Sequence, residues 1–343
     1  MQQRLMKKTA VCALVFFLVS MGFILAISAG REGEPIEEME EPAFNEAMEN
    51  ELSFERGQAD TSYLRVPLPA GCRAQELIIE NFYMDRELRI FVPGAKEDFY
   101  SMNALSGNCG EILRGGFNIT DGGAVLDFQL TGVYECRTIL EDENLYIRFL
   151  PPRQVYDRIV VIDPAWGGKE TGEEAQGLVE KNINLEIARS LSKKLEAGNI
   201  KAYYTRMDDL NPSAGQRTAL GNGAGADMYI RIQLGAGEDP AVYGVEAAYR
   251  TDYFIPGFGS GELAGLLERE VTSAINGKSM GTVKLPEEEG LLSGLEIPAA
   301  SVTVGYITNK QEALLLGRQE YIDKIAEGIY QAVLKAYEND IFH

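Results

Sequence analysis

From Arg158 to Tyr337, short apolar runs alternate with amphipathic stretches, and this alternation restricts the possible folds more than any other feature of the chain. "RIVVID" (158–163) is an almost continuous apolar run, as in a strand buried on both faces of a parallel sheet. In "EKNINLEIARSLSKKLEAGN" (180–199) Ile183, Ile187, Leu191 and Leu195 fall on one stripe with Gly198 as the stop, which predicts a helix packed by one face. "IKAYYTR", "DMYIRIQLG", "GVEAAYR" and "PAASVTVGYI" read as further strands. "AGQRTALGNGAG", "SGELAGLLEREVTSAI" and "QEYIDKIAEGIYQAVLKAY" read as helices, the last facing inward through Ile322, Ile325, Ile329 and Val333. Such alternation predicts an α/β domain over 153–343, an open and mostly parallel sheet covered by helices. Ligands of such sheets bind outside the carboxyl ends of the strands.

The preceding region has a different grammar. Over 61–152, runs such as "YLRVPLP", "ELIIENFY", "ELRIFVPG", "AVLDFQLTG" and "NLYIRFLPP" recur about every ten residues with turn signals between them, which predicts a small antiparallel β domain closed by Pro151-Pro152. Residues 31–60 carry eleven Asp/Glu against two Arg and read as a solvated acidic linker. Residues 9–30 contain no charge; at about 1.5 Å each they extend roughly 33 Å, enough for a ~30 Å hydrocarbon core. Arg4, Lys7 and Lys8 precede that stretch, so residues 1–30 are expected to be a single-pass bacterial membrane anchor with a cytoplasmic N-terminus and extracytoplasmic domains. The alternative is a cleaved signal peptide, with small residues at Ala26, Ser28, Ala29 and Gly30, which would leave a secreted protein. The net charge of −20 excludes a nucleic-acid partner, whose phosphates need a basic surface. Cys72, Cys109 and Cys136 allow at most one disulfide inside the β domain, and their spacing does not choose the pair.

Six motifs, in order, give 158–337 a family resemblance. "IVVIDPAWGGKETG", "GLVEKNINLEIA", "YYTRMDD", "GADMYIRIQLGA", "GVEAAY" and "IPAASVTVGYITN" together resemble the catalytic domain of zinc-dependent N-acetylmuramoyl-L-alanine amidases, the type-3 peptidoglycan-cleaving family. The first resembles the family's Asp-Pro-Gly-His-Gly-Gly turn, and the second its Glu-Lys-x-x-Asn-Leu helix. The position of the β domain, between an anchor and this segment, is similar to that of β-sandwich targeting modules on cell-wall enzymes. The resemblance implies a zinc held by His, Glu and His, with a further Glu as general base. Carried over residue by residue, the ligand positions are Trp166, Glu180 and Gln233 and the general-base position is Thr303, so only Glu180 matches.

The residue inventory leads to the same expectation. Catalytic zinc takes about three protein ligands, mainly His, Cys and carboxylate. The only histidine is the final residue, His343, and no cysteine follows Cys136. A His-containing zinc site or a His-based triad therefore cannot be assembled inside the second domain, and a threonine hydroxyl is no base near neutral pH. No cofactor and no intact catalytic residue are expected. A binding cleft remains as the candidate, formed by Trp166, Glu180, Arg231, Gln233, Ser301 and Thr303. Residues two apart on a strand share a face, which pairs Arg231 with Gln233 and Ser301 with Thr303. In that cleft Trp166 would fill the metal's volume and Arg231 would supply a positive charge for a stem-peptide carboxylate. The expected role is an inactive amidase-fold protein that binds peptidoglycan or its stem peptides, or regulates an active cell-wall hydrolase. The alternatives are an active amidase with an oxygen-rich metal site around Glu180, and a purely structural interaction protein. Weaker signals are "GNGAG" at 221–225, read as packing and turn glycines; "PEEEG" at 286–290, read as a solvated loop; and Tyr253, Phe254 and Phe258, which either form a partner surface or fold back on the core.

Overall fold

The computed structural model describes residues 48–56, 62–250, 254–255, 258–286 and 291–338. The expected membrane span at 9–30 lies outside the described residues, and among those described no helix is long and apolar enough to cross a membrane.

The first unit is a sandwich of two five-stranded sheets. Its strands are β1 (Asn50–Glu51), β2 (Phe54–Arg56), β3 (Leu64–Pro67), β4 (Ile78–Phe82), β5 (Glu87–Pro93), β6 (Leu105–Gly107), β7 (Ile112–Thr120), β8 (Gly123–Leu130), β9 (Glu135–Glu141) and β10 (Asn144–Leu150), with one helical turn, α1 (Phe99–Met102). The sheets run β1-β7-β8-β5-β4 and β2-β6-β3-β10-β9, antiparallel throughout except for the β2–β6 pair. Alternate residues point inward, Ala124, Leu126, Phe128 and Leu130 on β8 against Leu145, Ile147 and Phe149 on β10. This is the period-2 pattern of a sheet with one buried face. One boundary differs from expectation: Asn50–Glu51 and Phe54–Arg56, inside the acidic stretch read as linker, each join a sheet. Leu52 is buried and Phe54 packs on the core, while Glu51 and Glu55 are exposed, so two apolar residues two apart outweigh the acidic composition. Cys72, Cys109 and Cys136 are free thiols, and burial pushes the Cys136 thiol up to about 12.

The second unit is built on β11 (Ile159–Pro164), β14 (Lys201–Tyr204), β15 (Met228–Gly235), β16 (Val245–Tyr249), β19 (Ser279–Lys284) and β20 (Ala299–Tyr306), ordered β14-β11-β15-β20-β16-β19. The β20–β16 pair is antiparallel and every other pair is parallel. The expected mostly parallel sheet is therefore present, with β19 as an edge strand that the sequence reading did not include. Two-residue strands form hairpins at β12 (Glu174–Ala175) with β13 (Leu178–Val179) and at β17 (Phe254–Ile255) with β18 (Phe258–Gly259). The helices are α2 (Glu180–Ala197), α3 (Ala214–Gly223), α4 (Ser260–Ile275), α5 (Lys310–Leu316) and α6 (Gln319–Glu338).

The two faces of this sheet are covered differently. Val160, Ile162, Ile230, Ile232, Ala247, Ala300 and Val302 face α2, α4 and α6, which bury the predicted stripes Ile183–Ile187–Leu191–Leu195 and Ile322–Ile325–Ile329–Val333. Gly328 lets α6 approach α4 closely, since a Cβ there would lie 2.6 Å from the Val271 backbone. The opposite face is covered from its own domain by α3, by the turn at Leu291–Gly294 and by Tyr156, Leu285, Leu295 and Ile297. The rest of its cover is Val133, Tyr83 and Met84 of the sandwich, packed with Ile159, Val161, Tyr203 and Tyr229. The expectation was a sheet covered by helices; on this face the β domain supplies part of the cover. Lys201 ties the junction, its ammonium 2.8 Å from Glu135 and 4.7–5.1 Å from the ring centroids of Tyr203, Tyr156 and Tyr83.

The weaker sequence signals divide. Gly221 packs on Tyr229 and Leu295, as core glycines do, and Asn222 bonds the Gly294 carbonyl. Phe258 is buried in the helix-side core rather than on a surface, while Tyr253 and residues 287–290 lie outside the described residues.

Candidate functional site

Toward the carboxyl ends of β11, β15 and β20 the apolar lining of the second face gives way to Asp163, Arg231, Gln233, Ser301 and Thr303. The register places Asp163 beside Arg231, Arg231 beside Ser301, and Gln233 beside Thr303. Four of the six expected cleft residues thus share one patch of sheet, as side-chain alternation predicts.

Asp163 is fully buried and organises the patch. Its carboxylate accepts hydrogen bonds from Thr205 Oγ1 at 2.6 Å and from the guanidiniums of Arg217 and Arg231. Burial works to raise its pKa, but Arg231 and Arg217, with Thr205, hold it below the usual carboxylate range. Arg206 fills the next layer, donating to the carbonyls of Pro164, Ala165 and Lys181; burial, then the neighbouring Arg217, lowers it to about 10. Arg231, expected from the sequence to supply a positive charge in the cleft, is paired with Asp163. Desolvation works against its charge, and Asp163 maintains it. Sequence reasoning missed Asp163, Thr205, Arg206 and Arg217; the available signal was a carboxylate directly after the apolar run "IVVI" at 159–162.

Trp166 sits in the turn after β11 with φ of 64°, a conformation unusual for a residue with a Cβ. The loop beyond β14 pins this turn. Gly168 N–H donates to Asp209, Lys181 Nζ bridges the Gly168 carbonyl and Asp209, and Arg217 reaches the Trp166 carbonyl. Gly167 permits the contact: with φ of 144°, a Cβ on it would stand 1.9 Å from the Leu210 carbonyl oxygen. Trp166 is 37% exposed. It shares a boundary with Glu180, for a Cβ on Gly172 would meet both Trp166 Nε1 at 2.7 Å and Glu180 Oε2 at 2.5 Å.

Glu180, the first residue of α2, is only 2% exposed. Its Oε1 accepts from Leu234 N–H at 2.8 Å and from Asn184 Nδ2 at 3.4 Å, and its Oε2 accepts from Glu173 N–H at 3.0 Å. Gln233 Nε2 donates to Thr303 Oγ1 at 3.2 Å, so the family's second histidine position is bonded to its general-base position. Ser301 is buried between Arg231 and Ala248 in the register. Glu246 lies across from Thr303.

The zinc implied by the resemblance does not fit these residues. An indole N–H is a donor only, a glutamine amide is a poor ligand, and both Glu180 oxygens already serve the backbone. Among the described residues no group of three or more His, Cys, Asp or Glu is gathered to hold a metal ion.

Comparison with known proteins agrees with the order of motifs. The Amidase_3 family, described as N-acetylmuramoyl-L-alanine amidase, matches residues 160–335. An uncharacterized protein of Bacillus subtilis, YqiI, is 27% identical over 181 residues, 53% of this chain and 85% of that protein. The N-acetylmuramoyl-L-alanine amidase LytC of Bacillus subtilis is also 27% identical, over 53% of this chain but only 36% of its own length. Among solved structures, an N-acetylmuramoyl-L-alanine amidase from Clostridium difficile 630 is 31% identical, covering 53% of this chain and 97% of its own, with a TM-score of 0.49.

Proposed function

The chain belongs to the N-acetylmuramoyl-L-alanine amidase family, and from that membership we propose that its second domain binds peptidoglycan outside the cell membrane without hydrolysing it. The observation that carries this reading is the state of Glu180. The one ligand-type residue kept at the family's positions spends its oxygens on Leu234 N–H and Glu173 N–H, closing the ends of β15 and of the turn before α2. Amide hydrolysis needs a group that makes water nucleophilic, and neither Thr303 nor Gln233 has the basicity to do so. The scaffold around the strand ends is nevertheless retained, through the Asp163 cluster and the pinned glycine turn. A kept scaffold with replaced chemistry suits a binding role, either on the wall itself or in regulating an active hydrolase there. Export by residues 9–30 as an anchor, or as a cleaved signal, belongs to the same proposal.

A second reading is an active amidase with an oxygen-rich metal site. Family membership is equally consistent with it, and its specific support is Glu246, a carboxylate in register with Thr303. One experiment separates the readings: the full chain is incubated with purified peptidoglycan and zinc, and released stem peptides are read by mass spectrometry beside an active relative. Binding without catalysis predicts co-sedimentation with sacculi and no peptide release. Release that a chelator abolishes would establish the amidase reading instead.

A further inference from the structure

We propose that Trp166 is a stacking platform for a neutral sugar ring, so that the cleft takes the glycan of the wall polymer rather than its charged peptide; this rests on the peptidoglycan-binding reading. Three observations converge. First, Trp166 is 37% exposed beside Glu180, held there by a turn with left-handed backbone at the tryptophan and a glycine against the Leu210 carbonyl. A non-glycine residue kept in such a conformation calls for a functional explanation. Second, Leu210, 63% exposed, meets the same turn through its backbone carbonyl, so the rim that carries the indole also carries an apolar residue. Third, the charges behind the rim are committed: Arg231 and Arg217 to Asp163, Lys181 to Asp209, and Glu180 to backbone N–H groups.

A peptide carboxylate would have to compete with Asp163 for Arg231. A pyranose needs no such charge. Its C–H face is apolar and packs on the electron-rich face of an aromatic ring, and its hydroxyl and acetamido groups take hydrogen bonds from neutral donors and acceptors. Gln233 and Thr303, near the end of β15, are of that kind. The chain from Trp166 to Glu180 and on to the Leu234 N–H puts the indole and that strand end in one neighbourhood.

Trp166 is the only tryptophan of the chain, so its emission reports on this site alone. The full-length protein is titrated with chitotetraose, a glycan without peptide, and separately with a free stem tetrapeptide, following Trp166 fluorescence. The expected result is a saturable change with the sugar and none with the peptide. Trp166→Gly, whose backbone accepts this turn, should weaken binding of the sugar about tenfold by calorimetry, while Trp166→Phe stays within a few-fold. A flat titration with the sugar, or a response to the peptide alone, overturns the inference. An unchanged affinity in a folded Trp166→Gly protein overturns it too. Failure of the wild-type chain to sediment with sacculi counts against peptidoglycan binding itself, and the sugar titration still decides the role of Trp166.

Discussion

The helix-covered face of the six-stranded sheet and its cleft face are made by alternate residues of the same strands, yet they are held by different physics. On the first, Val160, Ile162, Ile230, Ile232 and Val302 meet three helices through apolar contact alone. On the second, the next residues along, Asp163, Arg231, Gln233 and Thr303, are held by partners of defined geometry. Dispersion and burial are non-directional and tolerate exchange among apolar residues of similar volume. A buried carboxylate shared between two guanidiniums tolerates almost none. The lesson is that the second face is fixed by particular pairings, Asp163 with Arg217 and Arg231 and Gln233 with Thr303, rather than by volume.

Removing the shared carboxylate tests this contrast most severely. Asp163→Ala leaves Arg217 and Arg231 without their counter-charge and should cost about 3–5 kcal/mol in urea unfolding; a loss below ~1 kcal/mol would mean the cluster is not what holds this face. The same group gives a pH signature. Its folded pKa is depressed, so the stability it contributes is complete above the unfolded value near ~3.9 and drains as pH falls through the lower folded value. Asp163→Asn should flatten the decline in thermal midpoint below about pH 4; an identical acid limb in both proteins would contradict the assignment. Next in size, Ile230→Ala on the helix face should cost about 2–4 kcal/mol by cavity formation and leave sacculus binding unchanged once the protein is folded. Weakened binding by the folded variant would show the two faces to be coupled. Gly167→Ala should cost ~1–3 kcal/mol through its left-handed backbone and the clash of its Cβ with the Leu210 carbonyl, and also disturb Trp166, so its emission maximum should shift. An unmoved spectrum would show that the turn does not set the indole. The smallest effect belongs to Thr303→Val, which removes one neutral hydrogen bond and should cost about 1 kcal/mol. A much larger loss would imply that Thr303 supports more than Gln233.

Much of this molecule could be read before any coordinates. Periodicity located α2 and α6 by their stripes, because a helix buries one face and Ile183, Ile187, Leu191 and Leu195 return to it every turn. The period-2 runs located most of the sandwich. Legibility failed where a short element sits in a misleading composition. β1 and β2 hide in an acidic stretch, and β19, four of whose six residues are glycine or polar, has no apolar pattern to show at its exposed edge.

The sequence by itself determined which chemistry was available: one tryptophan, one histidine, Arg231, and Glu180, Gln233 and Thr303 at positions to which the family resemblance gives a role. Only the tertiary structure decided what those residues do. Arg231 meets Asp163 from 68 residues away, Gln233 meets Thr303 from 70, and Glu180 caps a strand end 54 residues downstream. The sandwich likewise becomes a wall of the second domain's core through Val133, a contact neither region's own pattern encodes. Periodicity is a local property set by backbone geometry, whereas the partner of a buried charge is set by strand register, and register exists only once the sheet has formed.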